Sequence, residues 1–386
     1  MKLNSELEVL RQLNNDCTLS DLSEQLAIKV KWSKVNACLV HLKYDQIRSP
    51  MSDTIVQECR GLILEAKAYN TSDDPTDFSA RLKYRVVARG FDKFFNHGEG
   101  HAAPIDWTSA LVTEKLDGSL CMLYCYNGTW HVATSGDPDA SGTVSPDYMG
   151  GLGTFAELFW ETFRHENYKL PQTHHEGSTF IFELTTKYNR IVVPQPTAQL
   201  RLIGFRNGAG KEGDPGAFRH MFRVVDSGAN WHNYTLENIQ AQFDWLDPLY
   251  NEGFVVVDKD FNRIKVKHPG YVAIHRLKGE GSSPSKTRFL DIVRTGEGTE
   301  LLAHFPEWTD EYNQVQEAFN NLCINLLAFY QHIQCIPSRK DFALEACKTK
   351  CPGALFALRD DKVFSVHEYL ATMDLKSLAR ILGFRE

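Results

Sequence analysis

Apolar positions along this chain keep two different rhythms. Near the start, Leu3, Leu7, Leu10 and Leu13 recur at helical spacing, which predicts helix across residues 1–36. From about residue 37 to 280 the runs become short and alternating: Ala37–Leu42, Gly61–Leu64, Tyr84–Ala88, Leu120–Tyr126, Thr179–Leu184, Leu200–Phe205, Gly253–Val257 and Ile264–Val266. Asn, Asp, Gly and Pro separate them, and helical stretches intervene near 150–168 and 235–246. This predicts an α+β domain rich in antiparallel strands over residues 1–280. Gly279–Lys286 (GEGSSPSK) reads as a linker. Beyond it, helical spacing returns at 287–294, 308–333, 339–347 and 366–383, so residues 285–386 predict a small all-α domain.

Composition narrows the function classes. The chain has 386 residues, 42% apolar and 24% charged, as in an ordinary globular protein. No apolar run approaches the roughly eighteen residues that span a bilayer, so no membrane partner is expected. The start, MKLNSELEVLRQLNN, is amphipathic and acidic, unlike a secretory signal. Nine cysteines include no CxxC pair, which argues against paired zinc ligands or a disulfide framework and for a reducing, cytoplasmic setting. Net charge is −7, so a nucleic acid would need a local basic cleft. Arg81–Lys93 and Arg263–Lys278 are the two basic segments able to supply one; the alternative for each is a solvated strand face.

Chemistry gathers at a few short segments. In Thr113-Glu114-Lys115-Leu116-Asp117-Gly118-Ser119, a lysine precedes an Asp-Gly turn between two apolar strands. An amine is nucleophilic only when neutral, and free lysine titrates at about 10.4. Lowering that by about three pH units takes roughly 4 kcal/mol, which burial or nearby cations supply. The alternative is a surface turn lysine. In Arg263-Ile264-Lys265-Val266-Lys267, strand alternation sends Lys265 and Lys267 to one face, where they repel unless an anion such as a triphosphate lies between them. The same pair would depress the pKa of a lysine opposite; the alternative is an exposed edge strand.

Glu252 opens the apolar strand Gly253–Val257, and a carboxylate beside phosphate-binding lysines suits Mg2+; otherwise it is a strand-end acid in water. Glu183 lies inside Phe180-Ile181-Phe182-Glu183-Leu184 and needs a partner, either a ribose hydroxyl or an arginine such as Arg190. Arg60 follows Glu58-Cys59 at the head of an apolar run. Lys93 stands beside Phe94 and Phe95, a mix that holds phosphate and stacks a base, or else a snorkelling lysine.

In order, ECRG, DKFFN, EKLDGS, FEL with NRIV, EGFVVV and KVKHPGYVAIH run from about residue 58 to 278. In this order the chain resembles the covalent nucleotidyltransferase superfamily, and within it the phage-type RNA ligase 1 family. The resemblance implies two antiparallel sheets flanked by helices around an ATP cleft. It implies that Lys115 attacks the α-phosphate of ATP and becomes lysyl-AMP, with Mg2+ or Mn2+ as metal. Lys265 and Lys267 would hold phosphates, Glu183 the ribose, and Glu252 the metal. Asp117 and Gly118 belong to the same nucleotide-binding motif. Arg60 and Lys93 would contact ATP or the RNA end, with Phe95 near the base. Arg206, Tyr271 and Tyr44 match further family positions. The implied reaction is ATP-dependent joining of RNA 5'-phosphate and 3'-hydroxyl ends by a monomer, with broken tRNA as one candidate substrate and the helical domain choosing it.

One departure stands out. The family usually carries a basic residue in a short segment after the nucleophile, and Ser135 occupies that place here; either the alignment slips or another cation serves. Gly208-Ala209-Gly210-Lys211 imitates a phosphate loop, but Glu212 follows the lysine where Ser or Thr is required, so it reads as a hairpin loop. His174-His175-Glu176 lacks metalloprotease spacing. DNA ligases and capping guanylyltransferases share the implied fold but usually carry a β-barrel afterwards, where this chain reads as helices. A non-catalytic RNA-end binding protein is the remaining rival.

Overall fold

The computed structural model describes residues 7–384, apart from position 16, segments 71–79, 226–234, 279–284, 299–301 and 303–304, and positions 297, 361 and 364. The expected linker therefore lies largely outside the described residues. The chain divides into two compact units, Met1–Val272 and Ala273–Glu386.

The first unit opens with helices α1 (Glu8–Leu13) and α2 (Leu19–Leu26). The expected helix does not run on to residue 36. Ile28-Lys29-Val30-Lys31-Trp32 alternates with period two and forms strand β1 (Ile28–Trp32), paired antiparallel with β2 (Leu39–Tyr44). Helix α3 (Thr54–Glu58), β3 (Arg60–Asn70) and β4 (Ala80–Ala88) complete a four-stranded sheet in the order β1-β2-β3-β4. Its outer face buries Val40, Leu42, Leu62 and Leu64 against Leu10 of α1 and Leu22 of α2.

Two further sheets follow. Strands β5 (Phe95–Asn96) and β6 (Leu111–Glu114) flank β12 (Gly253–Val257) and β13 (Arg263–Lys267) in the order β5-β13-β12-β6. Strands β7 (Ser119–Tyr126), β8 (Thr129–Thr134), β9 (Thr179–Thr185), β10 (Gln199–Arg206) and β11 (Glu212–Gly213) form a five-stranded sheet in the order β11-β10-β9-β7-β8. Three sheets thus stand where two were expected, and the one that holds β5 is mixed, because β5 runs parallel to β13.

Period-two alternation decides what each face does. In β9, Phe180, Phe182 and Leu184 pack on helix α4 (Phe155–His165), while Ile181 and Glu183 face the other way. Helix α4 begins at a capping box between Thr154 and Glu157. On the opposite face of the sheet, Met122, Tyr124 and Ala133 meet Leu39, Ile63 and Val87 of the first sheet. In β13, Ile264 and Val266 join a core with Val112, Phe254, Val256 and Ile239 of helix α5 (Leu236–Gln242), leaving Arg263, Lys265 and Lys267 on the opposite face. Burying each such side chain stabilises the fold by about 1.5–3 kcal/mol.

The Gly208–Lys211 segment is the loop of the β10–β11 hairpin. His175 packs its ring against Phe180, Phe205 and Phe218. Helix α6 (Pro269–Lys278) follows β13.

The described elements of the second unit are helices: Lys286–Thr295, Thr309–Ile333, Arg339–Ala346, Pro352–Arg359, Val366–Thr372 and Leu375–Leu382, with a 3-10 turn at Pro306–Trp308. Helix 366–383 was expected to be continuous. It breaks because Met373 is extended and Asp374 caps a new helix through Ser377 N. Phe289, Tyr312, Phe319, Phe342 and Leu355 are buried in this unit. No helix among the described residues is long and apolar enough to cross a membrane.

Candidate active site

A cavity of about 880 Å3 opens in the first unit, and Arg60, Phe94, Lys115, Glu183, Lys265 and Lys267 are among its walls. Lys115 enters it from the end of β6. Pairing of Glu114 with Phe254 carries the chain to that point, and Lys115 N then donates to Gly253 O at 2.8 Å. The turn that follows is locked from behind. Asp117 Oδ2 accepts from Val192 N and Val193 N, each at 2.7 Å, and its Oδ1 accepts from Tyr271 Oη at 2.9 Å. Gly118 is required by contact: a Cβ there would lie 2.5 Å from Leu184 O of β9.

Glu252 is the centre of the charge arrangement. It is 4% exposed, held just before β12 by His268 N on its carbonyl, at 3.0 Å. Lys115 Nζ donates to its Oε2 at 2.7 Å, and Lys267 Nζ pairs with its Oε1 at 2.9 Å. Gly253 beside it has φ +131°, and a Cβ would fall 2.3 Å from Val266 O, so only glycine lets β12 lie this close to β13. Lys115 therefore faces the expected acid as well as the expected lysines. A carboxylate sits between Lys115 and Lys267, whereas the anion expected from the sequence was a triphosphate between Lys265 and Lys267.

Two other ionisable groups are held away from their usual range. Burial, followed by the charges of Arg60, Lys93, Lys115 and Lys267, depresses Lys265 to about 7. Its Nζ lies 4.7 Å from the Phe94 ring centre. Glu183 is pushed up to about 7, chiefly by burial, with Glu252 and Asp117 adding to the rise and Lys115 and Arg60 opposing it. Among the described residues Glu183 makes no ion pair with Arg190, its expected structural partner, whose guanidinium instead donates to Val192 O at 2.9 Å. Glu183 is left facing the cavity.

The other expected residues divide. Arg60 lies on the cavity wall, its guanidinium 4.9 Å from the Phe94 ring centre. Glu58 of the same motif is structural, accepting from Glu8 N and Val9 N at the start of α1. Lys93 sits over the rings of Tyr44 and Phe95, at 5.2 and 5.4 Å, and acts on the cavity through its charge on Lys265. Phe95 is not on the cavity wall. It pairs with Ile264, whose side chain enters the core, so Phe95 is buried too, and Phe94 and Phe91 face the cavity instead. Asp117 does not face the cavity either; its oxygens are consumed in holding the turn. Arg206 is a buried anchor, donating to Gly90 O at 2.8 Å and Gly210 O at 3.0 Å.

Sequence reasoning named Arg263 only within a basic segment and missed Lys43; both lie on the cavity wall. Alternation through Arg263-Ile264-Lys265-Val266-Lys267 was the available signal for the first, which lies 4.2 Å over the Phe91 ring and pairs with Glu212. Nothing in the spacing around Lys43 pointed to it.

Among the described residues no group of three or more His, Cys, Asp or Glu could cage a metal ion. Mg2+ characteristically takes one or two carboxylates and completes its shell with phosphate oxygens and water. Glu252, bridging two of the cavity's lysines, and Glu183 on the cavity wall fit that pattern.

A family model described as RNA ligase matches residues 58–271, more than half of the chain. An RNA ligase of Rhodothermus phage RM378 is 29% identical over 305 residues, covering 62% of this chain and 69% of that one. A protein of Autographa californica nuclear polyhedrosis virus, described as a bifunctional polynucleotide kinase/RNA ligase, is 27% identical over 371 residues. That match covers 86% of this chain but spans only 48% of the viral protein. Among solved structures, an archaeal ATP-dependent RNA ligase gives a TM-score of 0.44 at 13% identity, covering 85% of this chain and 82% of that one. With Arg60, Lys115, Glu183, Lys265 and Lys267 gathered around one cavity and the family model spanning them, this chain belongs to the phage-type RNA ligase family.

Proposed function

We propose that this chain is an ATP-dependent RNA ligase that joins a 5'-phosphate to a 3'-hydroxyl through Lys115. The observation that carries this reading is the convergence of Lys115, Glu183, Lys265 and Lys267 on a single cavity from separate strands or their ends, with Glu252 bridging Lys115 and Lys267.

Each side chain has a task. Lys115 leaves Glu252, gives up a proton and forms an N–P bond to the α-phosphorus of ATP, as the bond to the β-phosphate oxygen breaks and pyrophosphate departs. Glu252 Oε2, 2.7 Å from Lys115 Nζ, is within reach to take that proton. Lys265 and Lys267, both partly buried, stabilise the negative oxygens of the transferring phosphate more strongly than they would in open water. Glu183 accepts from a ribose hydroxyl. Bound Mg2+ or Mn2+ would neutralise phosphate charge, held by Glu252 with Glu183 near. The adenylate then passes to the RNA 5'-phosphate, breaking the N–P bond and returning Lys115 to its amine. A 3'-hydroxyl attacks the activated 5'-phosphorus, forms the phosphodiester and releases AMP. The same lysines serve all three steps, because each passes through an anionic phosphorus centre.

We assign substrate choice, with broken or structured RNA in view, to the helical segment 285–386. Those helices favour an RNA ligase over a DNA ligase or capping enzyme, which usually carry a β-barrel there. The test is incubation of the full chain with ATP and Mg2+, followed by intact mass. The wild type gains one AMP and Lys115→Ala gains none; no adduct on the wild type, or an equal adduct on the variant, removes the reading. GTP in place of ATP, and DNA in place of RNA, test the substrate class.

A further inference from the structure

Lys43, in β2, reaches the cavity wall beside the segment that follows β8. A Cβ built on Gly136 would lie 3.3 Å from Lys43 Nζ, so the ammonium rests directly over that glycine and occupies the room its missing side chain leaves. A Cβ on Gly61 would lie 3.2 Å from Ser135 Cα, so the head of β3 packs against the same segment. Across the sheet, Lys43 is in register with Arg60, a second cation on this wall.

Nothing among the described residues balances Lys43: it makes no ion pair and no side-chain hydrogen bond there. The carboxylates nearby in sequence are committed elsewhere. Asp45 pairs with Lys29 at 3.0 Å, and Asp137 is held by Lys31 at 2.5 Å and Ser141 at 3.0 Å. Burial, Lys29 and Arg60 all act to lower the pKa of Lys43, so the ammonium is kept there at a cost. A half-buried cation of this kind is stabilised by an anionic ligand.

The geometry points to a phosphate subsite on this side of the cavity, in which Lys43 supplies the cation, Arg60 stands beside it, and Ser135 and Gly136 form the floor. Ser135, the position at which a cation was expected, has none; β2 delivers one to the same wall. The ligand is a phosphate group, from ATP or from the RNA end. This rests on the ligase reading above, and its test separates the two.

Lys43→Gln and Lys43→Arg are compared with the wild-type chain in two reactions. The first is AMP transfer from ATP to the protein, followed by intact mass. The second is joining of chemically pre-adenylylated RNA to a 3'-hydroxyl RNA without ATP, followed on a gel. Loss of one charged hydrogen bond predicts that Lys43→Gln slows at least one reaction by about tenfold or more, while Lys43→Arg stays within about threefold. Loss confined to the first reaction assigns the subsite to ATP, and loss confined to the second assigns it to the RNA phosphate. Recovery when Ser135→Lys is added to Lys43→Gln supports a cation requirement at this wall. Lys43→Gln within about twofold of wild type in both reactions overturns the subsite, as does an equal loss in Lys43→Arg. A wild-type chain that takes up no AMP and seals no RNA sinks the ligase reading instead.

Discussion

Lys115 Nζ donates to Glu252 Oε2 at 2.7 Å, across 137 positions of sequence. The contact joins the turn after β6 to the residue before β12, and the pairing of those two strands holds both ends in place. In the reaction proposed above, Lys115 would leave this pair to attack a phosphate, with Glu252 parking the nucleophile and within reach to receive its proton. Lys267 on the other oxygen keeps Glu252 in place as Lys115 departs.

Glu252→Gln tests this directly. The amide cannot take the proton and leaves Lys115 and Lys267 without a shared anion. AMP transfer to the protein should fall by about 100-fold or more, the range lost with a general base. Rapid-quench measurement of the adduct checks it. A fall under about tenfold would return Glu252 to a packing role.

The raised carboxyl of Glu183 predicts a stability change with pH. Unfolded, the group ionises around 4.5; folded, it keeps its proton up to about 7. Between those values the native state binds more protons than the unfolded state, so stability is lost as pH rises through that window. Glu183→Gln removes the loss. The variant should match the wild type near pH 4 and exceed it by about 1–2 kcal/mol above pH 7.5, after allowance for partial solvent screening, while its AMP transfer drops. Urea unfolding at both pH values measures it. Equal stability at high pH would mean Glu183 is better solvated than its position indicates.

Gly118→Ala tests close packing at the turn. Its Cβ would meet Leu184 O at 2.5 Å and Thr185 Cγ2 at 2.8 Å, and the first contact is backbone that cannot swing aside. Relief has to come from shifting the turn, and with it Lys115. A displacement near 1 Å in such a site costs about 100-fold in rate. The expected outcome is a folded protein with AMP transfer slowed by that order; wild-type rate would show that the turn moves freely.

Much of this site was legible before the fold was known, because strand alternation is strict. It placed Lys265 and Lys267 on one face and opposed Glu183 to Phe180 and Phe182. The same rule extends to Arg263 and separates Ile28-Lys29-Val30-Lys31-Trp32 from helix. What escaped was tertiary. The carboxylate shared by Lys115 and Lys267 depends on a pairing between strands far apart in sequence. Asp117 looks exposed in a turn motif, yet Val192, Val193 and Tyr271 close over it from distant segments. Lys43 reaches the cavity because the first sheet packs against the five-stranded one.

The exchange of Phe94 for Phe95 is the sharpest of these differences, and it can be tested by pairing the two variants. Arg60, Lys265 and Arg263 all lie over the Phe94 ring, at 4.9, 4.7 and 5.6 Å from its centre. Cations this close to the ring are attracted by its quadrupole, so the ring helps to orient this wall. Phe94→Ala frees them and should raise the KM for ATP about tenfold, with the unfolding midpoint little changed. Phe95 is 5% exposed and sits beside Ile264 and His101. Phe95→Ala should therefore cost about 3–5 kcal/mol of stability and leave the KM of the folded fraction unchanged. If Phe95→Ala instead raises the KM while Phe94→Ala only destabilises, the nucleotide stacks on Phe95 and the wall described by β5 and β13 has been read from the wrong side.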